Sequence, residues 1–459
     1  MVGGELNLTL YVYRFNDGLT NEAWLHFQNV YQRRIRVLGL INDASDFYDC
    51  LGSLGRIRSP GPLLPNLRVL KWGIELDAQA QTEVYGEMFM NDSVETLEFS
   101  CYHEPNPIQN FQSLFSCISS RMSRLTTLSL YLYPSMAYQG PLLNLVQYLP
   151  NLTELTIPPF PDLSAILKGI SDLSTGSSLS CLDIFETIGD SDYVDPVTII
   201  DLTGLREGSK GLENLTTLSI YSSYSAALQI FLGPRNLKEI YIASFEPEPA
   251  GEVRELTSQI AQTCVQIEKI TLTFLDTGTE FFNRLKASPT ADVIVTFDDL
   301  RPLLSCIGIT YFRIDTARPL GLTDVDMERI AERWPSLKTL SLAPLPGILS
   351  ETPKQLSLHS LLHLANHCPQ LNEVYLYLDT KHVPEGMKTF STFTQLARLD
   401  VGFSPIKNSI QVTRFLSQIL PPEVSLTWGC DDEAPEWEDT ELNLTQYQFQ
   451  MAETLEKSF

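Results

Sequence analysis

One short pattern organises the chain: an apolar residue, two variable residues, an apolar residue, one variable residue and a third apolar residue. It occurs thirteen times, beginning at Ile35 (IRVLGL), Leu67 (LRVLKW), Val94 (VETLEF), Leu125 (LTTLSL), Leu152 (LTELTI), Leu179 (LSCLDI), Leu215 (LTTLSI), Leu237 (LKEIYI), Ile267 (IEKITL), Ile309 (ITYFRI), Leu337 (LKTLSL), Leu371 (LNEVYL) and Leu396 (LARLDV). The end of each copy alternates, as in Leu340-Ser341-Leu342. A strand there turns its apolar side chains to one face and Ser or Thr to the other. Between copies the period changes to that of a helix. Met327, Ile330, Ala331 and Trp334 fall at i, i+3, i+4 and i+7, with Thr323 placed to cap the start and Pro335 to mark the end. Leu358, Leu361, Leu362 and Ala365 repeat this spacing before Pro369. Further helices are expected near 111–122, 161–173, 252–264, 298–307 and 409–420.

A single strand and helix of this size cannot bury both apolar faces, so neighbouring units must stack. The expected fold is therefore an α/β leucine-rich-repeat solenoid, a horseshoe with a parallel β-sheet on its concave face and helices on its convex face. Starts lie 22 to 42 residues apart, with a mean near the upper end of the roughly 20–29 residues typical of such repeats. A doubly wound α/β domain also alternates strand and helix, but it does not require one six-residue signature thirteen times. The solenoid is expected over residues 35–430, with an N-terminal segment 1–34 before it and an acidic tail 431–459 after it. The long interval from Ile267 to Ile309 has room for an inserted loop, a degenerate unit around Val293–Phe297, or a break in curvature.

Composition sharpens this picture. The 459 residues contain 32 Lys+Arg against 56 Asp+Glu, a formal charge of -24. That argues against a nucleic-acid partner, whose phosphates are met by clustered basic side chains. Hydrophobic residues are 43% of the chain, enough for a packed core. No run reaches the ~18 uncharged apolar residues of a membrane span, and Met1 to Leu10 has neither the basic nor the apolar region of a secretory signal. The eight cysteines are scattered, with no CxxC pair. Reduced thiols and a cytoplasmic or nuclear location are expected.

The chain contains no GxxxxGK[ST], no GxGxxG after a strand, no HExxH and no GxSxG. No catalytic residue, cofactor or metal is assigned. His359, His363 and His367 lie at i, i+4 and i+8 and precede Cys368, but they span about 12 Å along a helix, too far for all three to hold one ion. The candidate site is instead the strand face turned away from the core, made by the third, fifth and seventh residues of each unit. It offers Tyr131, Phe185, Tyr221, Tyr241, Tyr311, Arg313, Tyr375 and Tyr377 as protein-binding positions, since aromatic and Arg side chains anchor interfaces. The same side chains could pack as cross-strand ladders. Glu98, Glu154, Asp183, Glu239, Asp315, Glu373 and Asp400 share these positions with Lys71, Lys269, Arg313 and Arg398, a mildly acidic face suited to a basic protein partner. Beyond Trp428, seven acids fall within residues 431–441; this stretch is expected to be solvated, with Trp437 as an alternative anchor for a partner.

Two stretches, Leu322-Thr323-Asp324 through Leu340 and Leu361 through Leu371, carry a joint of helix, Trp or Cys, Pro, x, Leu, x, x, Leu or Val. Both resemble the repeat joints of the fungal, basidiomycete-type F-box/leucine-rich-repeat proteins. Leu19-Thr20, Trp24, Phe27, Tyr31 and Arg34-Ile35-Arg36-x-Leu38 resemble that family's helix between the F-box and the first repeat. The F-box itself opens with a Leu-Pro-containing helical stretch that docks the Skp-type adaptor of a cullin–RING ubiquitin ligase, and nothing before Trp24 matches it. The resemblance implies a non-enzymatic receptor that binds a protein substrate, partnered by the Skp-type adaptor and cullin if an F-box lies upstream. The alternative is a stand-alone interaction scaffold or inhibitor.

Overall fold

The computed structural model describes residues 20–40, 61–73, 87–101, 111–160, 162–172, 178–184, 214–231, 235–244, 248–274, 294–346, 355–384, 391–429 and 437–444. The chain forms two compact units, Met1–Ile220 and Tyr221–Phe459.

In the first unit, the strands are β1 (Val37–Leu40), β2 (Val69–Gly73), β3 (Thr96–Cys101), β4 (Thr127–Leu132), β5 (Glu154–Ile157), β6 (Cys181–Ile184) and β7 (Thr217–Tyr221, its last residue crossing the boundary). They lie side by side in chain order, every pair parallel. Each begins two residues after the start of its sequence motif. The alternation is strict where it matters: in β3 and β4 every second residue is buried, and Leu97, Phe99, Leu128, Leu130 and Leu132 are fully inaccessible. Helices Phe111–Arg121, Met136–Gln147 and Leu163–Asp172 connect successive strands.

The stack has a backbone spine. The second motif residue sends its N–H to the carbonyl of its counterpart one repeat earlier: Glu95 to Arg68, Thr126 to Glu95, Thr153 to Thr126, Ser180 to Thr153 and Thr216 to Ser180, each at 2.8 Å. Where that residue is Thr or Ser its hydroxyl donates to the same oxygen, at 3.0–3.1 Å for Thr126, Thr153, Ser180 and Thr216. The same four carbonyls also accept from the N–H of the third motif residue at 3.0–3.1 Å, so the frequent Thr or Ser at this position adds a further donor to an oxygen that already takes two backbone N–H groups.

The second unit repeats the plan with β8 (Glu239–Ser244), β9 (Lys269–Phe274), β10 (Tyr311–Ile314), β11 (Thr339–Leu342), β12 (Glu373–Leu376), β13 (Arg398–Asp400) and β14 (Ser425–Thr427), again parallel and in chain order. The order never reverses within either unit, so no doubly wound crossover is present. Thr323 caps helix Asp324–Arg333 as its sequence position suggested, and the cap is a reciprocal box, with Thr323 accepting from the N–H of Asp326 at 3.3 Å and Asp326 accepting from the N–H of Thr323 at 3.0 Å. Met327, Ile330, Ala331 and Trp334 are all buried. In helix His359–His367 the core takes Leu358, Leu361, Leu362 and Leu364, while Ala365 is only half-buried.

Across the long interval between Ile267 and Ile309, β9 pairs directly with β10, and around the possible degenerate unit the described residues hold one parallel bridge, Thr296 to Gly321, followed by helix Phe297–Leu300. Val293 lies outside the described residues. Two features depart from the sequence reading. A fourteenth strand, Ser425–Thr427, follows the thirteen expected. Residues 437–444 are helical and packed, with Trp437 1% exposed and its indole N–H donating to the Ser404 carbonyl at 2.7 Å. Trp437 is therefore anchored on its own chain and is not a solvated hook for a partner. No helix among the described residues is long and apolar enough to cross a membrane.

Candidate functional site

Register fixes which side chains meet on the face turned away from the core. In the second unit one row runs Glu239, Lys269, Tyr311, Thr339, Glu373, Arg398 and Ser425, and the next runs Tyr241, Thr271, Arg313, Ser341, Tyr375, Asp400 and Thr427. Neighbours in a row occupy adjacent strands, so the aromatic and charged groups of β8, β9, β10, β12 and β13 line one surface, interrupted at β11 by Thr339 and the buried Ser341.

Tyr375 is the best-fixed member. Its hydroxyl donates to Glu373 Oε2 at 3.2 Å, and the Arg398 guanidinium lies over its ring at 5.3 Å. Burial first, then the Glu373 carboxylate, pushes its phenol above the ordinary tyrosine range, so it remains a donor. Arg398 also reaches Asp400 Oδ2 at 3.4 Å, and that carboxylate accepts from Thr427 at 2.8 Å. Arg313, exposed, is held by Asp315 at 2.7 Å, and Asp315 accepts as well from Thr273 at 3.0 Å. Tyr311 and Tyr377 are half-buried on the same face, and burial, then Asp379, raises the Tyr377 phenol.

One sequence candidate behaves differently. Tyr221 is 3% exposed: β7 loses its alternation at this residue, whose ring meets that of Tyr241 edge-on at 6.3 Å. Its parity is that of the open face, but it is buried, with Tyr241 half-exposed beside it. Phe185 lies outside the described residues.

In the first unit the open face holds Lys71 and Glu98, paired at 2.7 Å, with Tyr131 half-buried one repeat further on. The Glu98 hydrogen bond and charge hold the Lys71 ammonium above its ordinary value. Glu154 accepts from Thr127 at 3.2 Å. Asp183 is the exception. Burial raises its carboxyl, against the opposing hydrogen bond from Ser219, and its Oδ1 is buried without a hydrogen-bond partner.

All four basic residues expected on this face are thus paired with acids on the same face: Lys71 with Glu98, Lys269 with Glu239 at 2.9 Å, Arg313 with Asp315 and Arg398 with Asp400. A general acid–base pair needs two carboxyls driven apart in pKa. Asp183, the acid whose carboxyl is raised, has Thr156 and Ser219 as its register neighbours, not a second carboxylate. The arrangement suits contact with a large surface better than proton transfer. Cys368, which followed the histidine series in sequence, is buried, its thiol directed at the carbonyls of Ala331 and Trp334 at 3.7 and 3.6 Å.

No protein-family model matches the chain, and no curated protein is similar to it. Some solved structures are similar to it at low identity. The leucine-rich-repeat-containing protein LegL7 of Legionella pneumophila is 12% identical with a TM-score of 0.37, covering 74% of this chain and 89% of its own. The Rad7–Elc1 complex of yeast is 12% identical with a TM-score of 0.41, covering 84% and 88%. TLR13 in complex with ssRNA13 is 14% identical with a TM-score of 0.34, covering 88% and 64%. The parallel chain-order strands of each unit, with helices between them and one apolar signature per strand, make the fold an α/β leucine-rich-repeat solenoid.

Proposed function

We propose that this chain is a non-enzymatic scaffold that binds a protein partner through the open strand face of its repeats. The observation that carries the proposal is the Glu373–Tyr375–Arg398–Asp400 cluster with Arg313 and Tyr311 in register beside it: large side chains held in one rotamer by neighbours, which reduces the entropy lost on binding. Internal pairing of every base leaves this face only mildly acidic, so aromatic contact area more than net charge would supply affinity.

The finer reading is a substrate-recognition subunit of a cullin–RING ubiquitin ligase, active in the cytoplasm or nucleus, which positions a substrate while other subunits carry out the transfer. It rests on the sequence resemblance at Thr20–Leu38. There, Thr20 caps helix Asn21–Val30 and Trp24 packs on Phe27 at 5.4 Å. The other reading remains a stand-alone scaffold or inhibitor.

A photo-crosslinking amino acid placed at Tyr311, Tyr375 or Tyr377, with Val325 and Ile410 on the exposed helix surface as controls, tests the face directly. Discrete adducts in cell extract from the three strand positions and not from the controls support the binding face. Adducts from the controls alone would overturn it. Identification of the captured protein as a Skp-type adaptor or cullin would mean that these contact the repeats, against a substrate-binding face. Co-purification of both with the intact chain supports ligase membership.

A further inference from the structure

Helices Asp324–Arg333 and His359–His367 pack side by side in the second unit and are locked together at both ends. At one end Asp324 accepts from the Ser357 N–H at 2.8 Å, the Ser357 hydroxyl at 2.6 Å and the Ser360 hydroxyl at 2.5 Å. At the other, the Cys368 thiol lies on the carbonyls of Ala331 and Trp334. Between these clamps each helix presents two ligating residues at i, i+4: Glu328 and Glu332 on one, His363 and His367 on the other. Residues four apart lie on one helical face, and here the two faces meet. One donor atom each from Glu328, Glu332 and His367 lies within 4.8 Å of the other two, and His363 Nδ1 stands 3.6 Å from Glu328 Oε1.

We infer that Glu328, Glu332 and His367, with His363 as a fourth donor, form a divalent transition-metal site, and that zinc is the ion it takes. The donor chemistry decides the class. Imidazole nitrogen with carboxylate oxygen suits zinc and its first-row neighbours, whereas calcium and magnesium prefer all-oxygen sets. Bond lengths of roughly 2.0–2.2 Å imply donor separations of roughly 3.4 Å in a tetrahedron, so three donors lying within 4.8 Å of one another need to draw together by at most about 1.4 Å. Glu332 is exposed and Glu328 half-buried, and rotation about their side-chain bonds supplies that movement without shifting either helix. The three histidines of the series are too far apart to share an ion; His359 instead makes a 3.3 Å contact through Nδ1 with the Ser357 hydroxyl, at the opposite end of the pair. The site thus draws on two histidines and a facing pair of glutamates that sequence spacing does not connect.

Titration of the metal-free full chain with Zn²⁺ by calorimetry, with Mg²⁺ and Ca²⁺ as comparisons, tests the assignment. The expected result is one equivalent of Zn²⁺ bound in preference to the other two ions. Affinity should fall at least tenfold in Glu328→Gln and in His367→Ala and should be unchanged in His359→Ala. Circular dichroism keeps the reading clean by confirming that each variant is folded; the substituted side chains are partly exposed. Absence of stoichiometric Zn²⁺ binding would overturn the inference, as would binding that persists in both Glu328→Gln and His367→Ala, which would place the ion elsewhere.

Discussion

Trp437 gives the most informative perturbation, because the sequence places it in an acidic run and the structure places it in the core. Its indole is 1% exposed, its N–H donates to the Ser404 carbonyl at 2.7 Å, and its helical segment continues to Thr440 and Leu444, exposed by 0% and 2%. The Thr413 hydroxyl, inside helix Ser409–Ile419, donates to the Ser409 carbonyl at 2.7 Å and lies 3.5 Å from the Thr440 carbonyl, which packs the segment against the last full repeat. A buried tryptophan removes about 200 Å² from water, worth about 5 kcal/mol at ~25 cal/mol per Å² as an upper limit. Large aromatic-to-alanine substitutions in cores cost about 3–5 kcal/mol. Trp437→Ala should therefore lose about 4 kcal/mol, while Trp437→Phe keeps most of the area, forfeits the hydrogen bond and loses about 1–2 kcal/mol.

Because repeats couple mainly to their neighbours, the loss should appear locally. Hydrogen exchange should accelerate first in β14, β13 and helix Ser409–Ile419, with little change around β9. If Trp437→Ala left exchange in residues 398–427 unchanged and lowered stability by under about 1 kcal/mol, the segment would not be a structural cap and the solvated-tail reading would return.

Burial pushes the Cys368 thiol up to about 12 and Cys264 to about 11 from an ordinary value of 9.0, so the unfolded chain ionises first as pH rises; stability contributed by these neutral thiols is complete below pH 9 and should decline between pH 9 and 12, less steeply in Cys368→Ala, as measured by denaturant titration. Native Cys368 should resist alkylation at pH 8 and react fully once unfolded, as read by mass spectrometry. Gly402 has φ of +48°, and a Cβ there would lie 1.8 Å from the Pro344 carbonyl oxygen, so Gly402→Ala should lose more than about 2 kcal/mol and lower the urea midpoint accordingly.

The strands were legible because burial on the sheet is a parity rule, and thirteen strands start where the apolar hexads place them. The fourteenth was missed because the first position of its hexad is the exposed Glu423, although Leu426 and Trp428 keep the second and third apolar positions. Helix Met136–Gln147 was missed because Gly140 and Pro141 read as a break, although Ser135 caps it and Leu142, Leu145 and Val146 carry the buried stripe. On the open face parity gave the right side of the sheet for Tyr375 but the wrong exposure for Tyr221, since crowding by Tyr241 is a contact between strands 20 residues apart in sequence. The facing of Glu328 and Glu332 with His363 and His367 is equally invisible along one helix.

Register also changes what the charge means. Seven acids and four bases on the open face leave three uncompensated negative charges of the formal -24, and each base already has an acidic partner there. Exposed pairs of this kind contribute only about 0–1 kcal/mol each to stability. Their larger effect is to hold Arg313, Arg398 and the Tyr375 ring in place, so a partner meets a preorganised surface. The bulk of the negative charge lies off that face, where it acts at long range on encounter and solubility and weakens with salt, while the close contacts are left to aromatic rings and paired guanidinium groups.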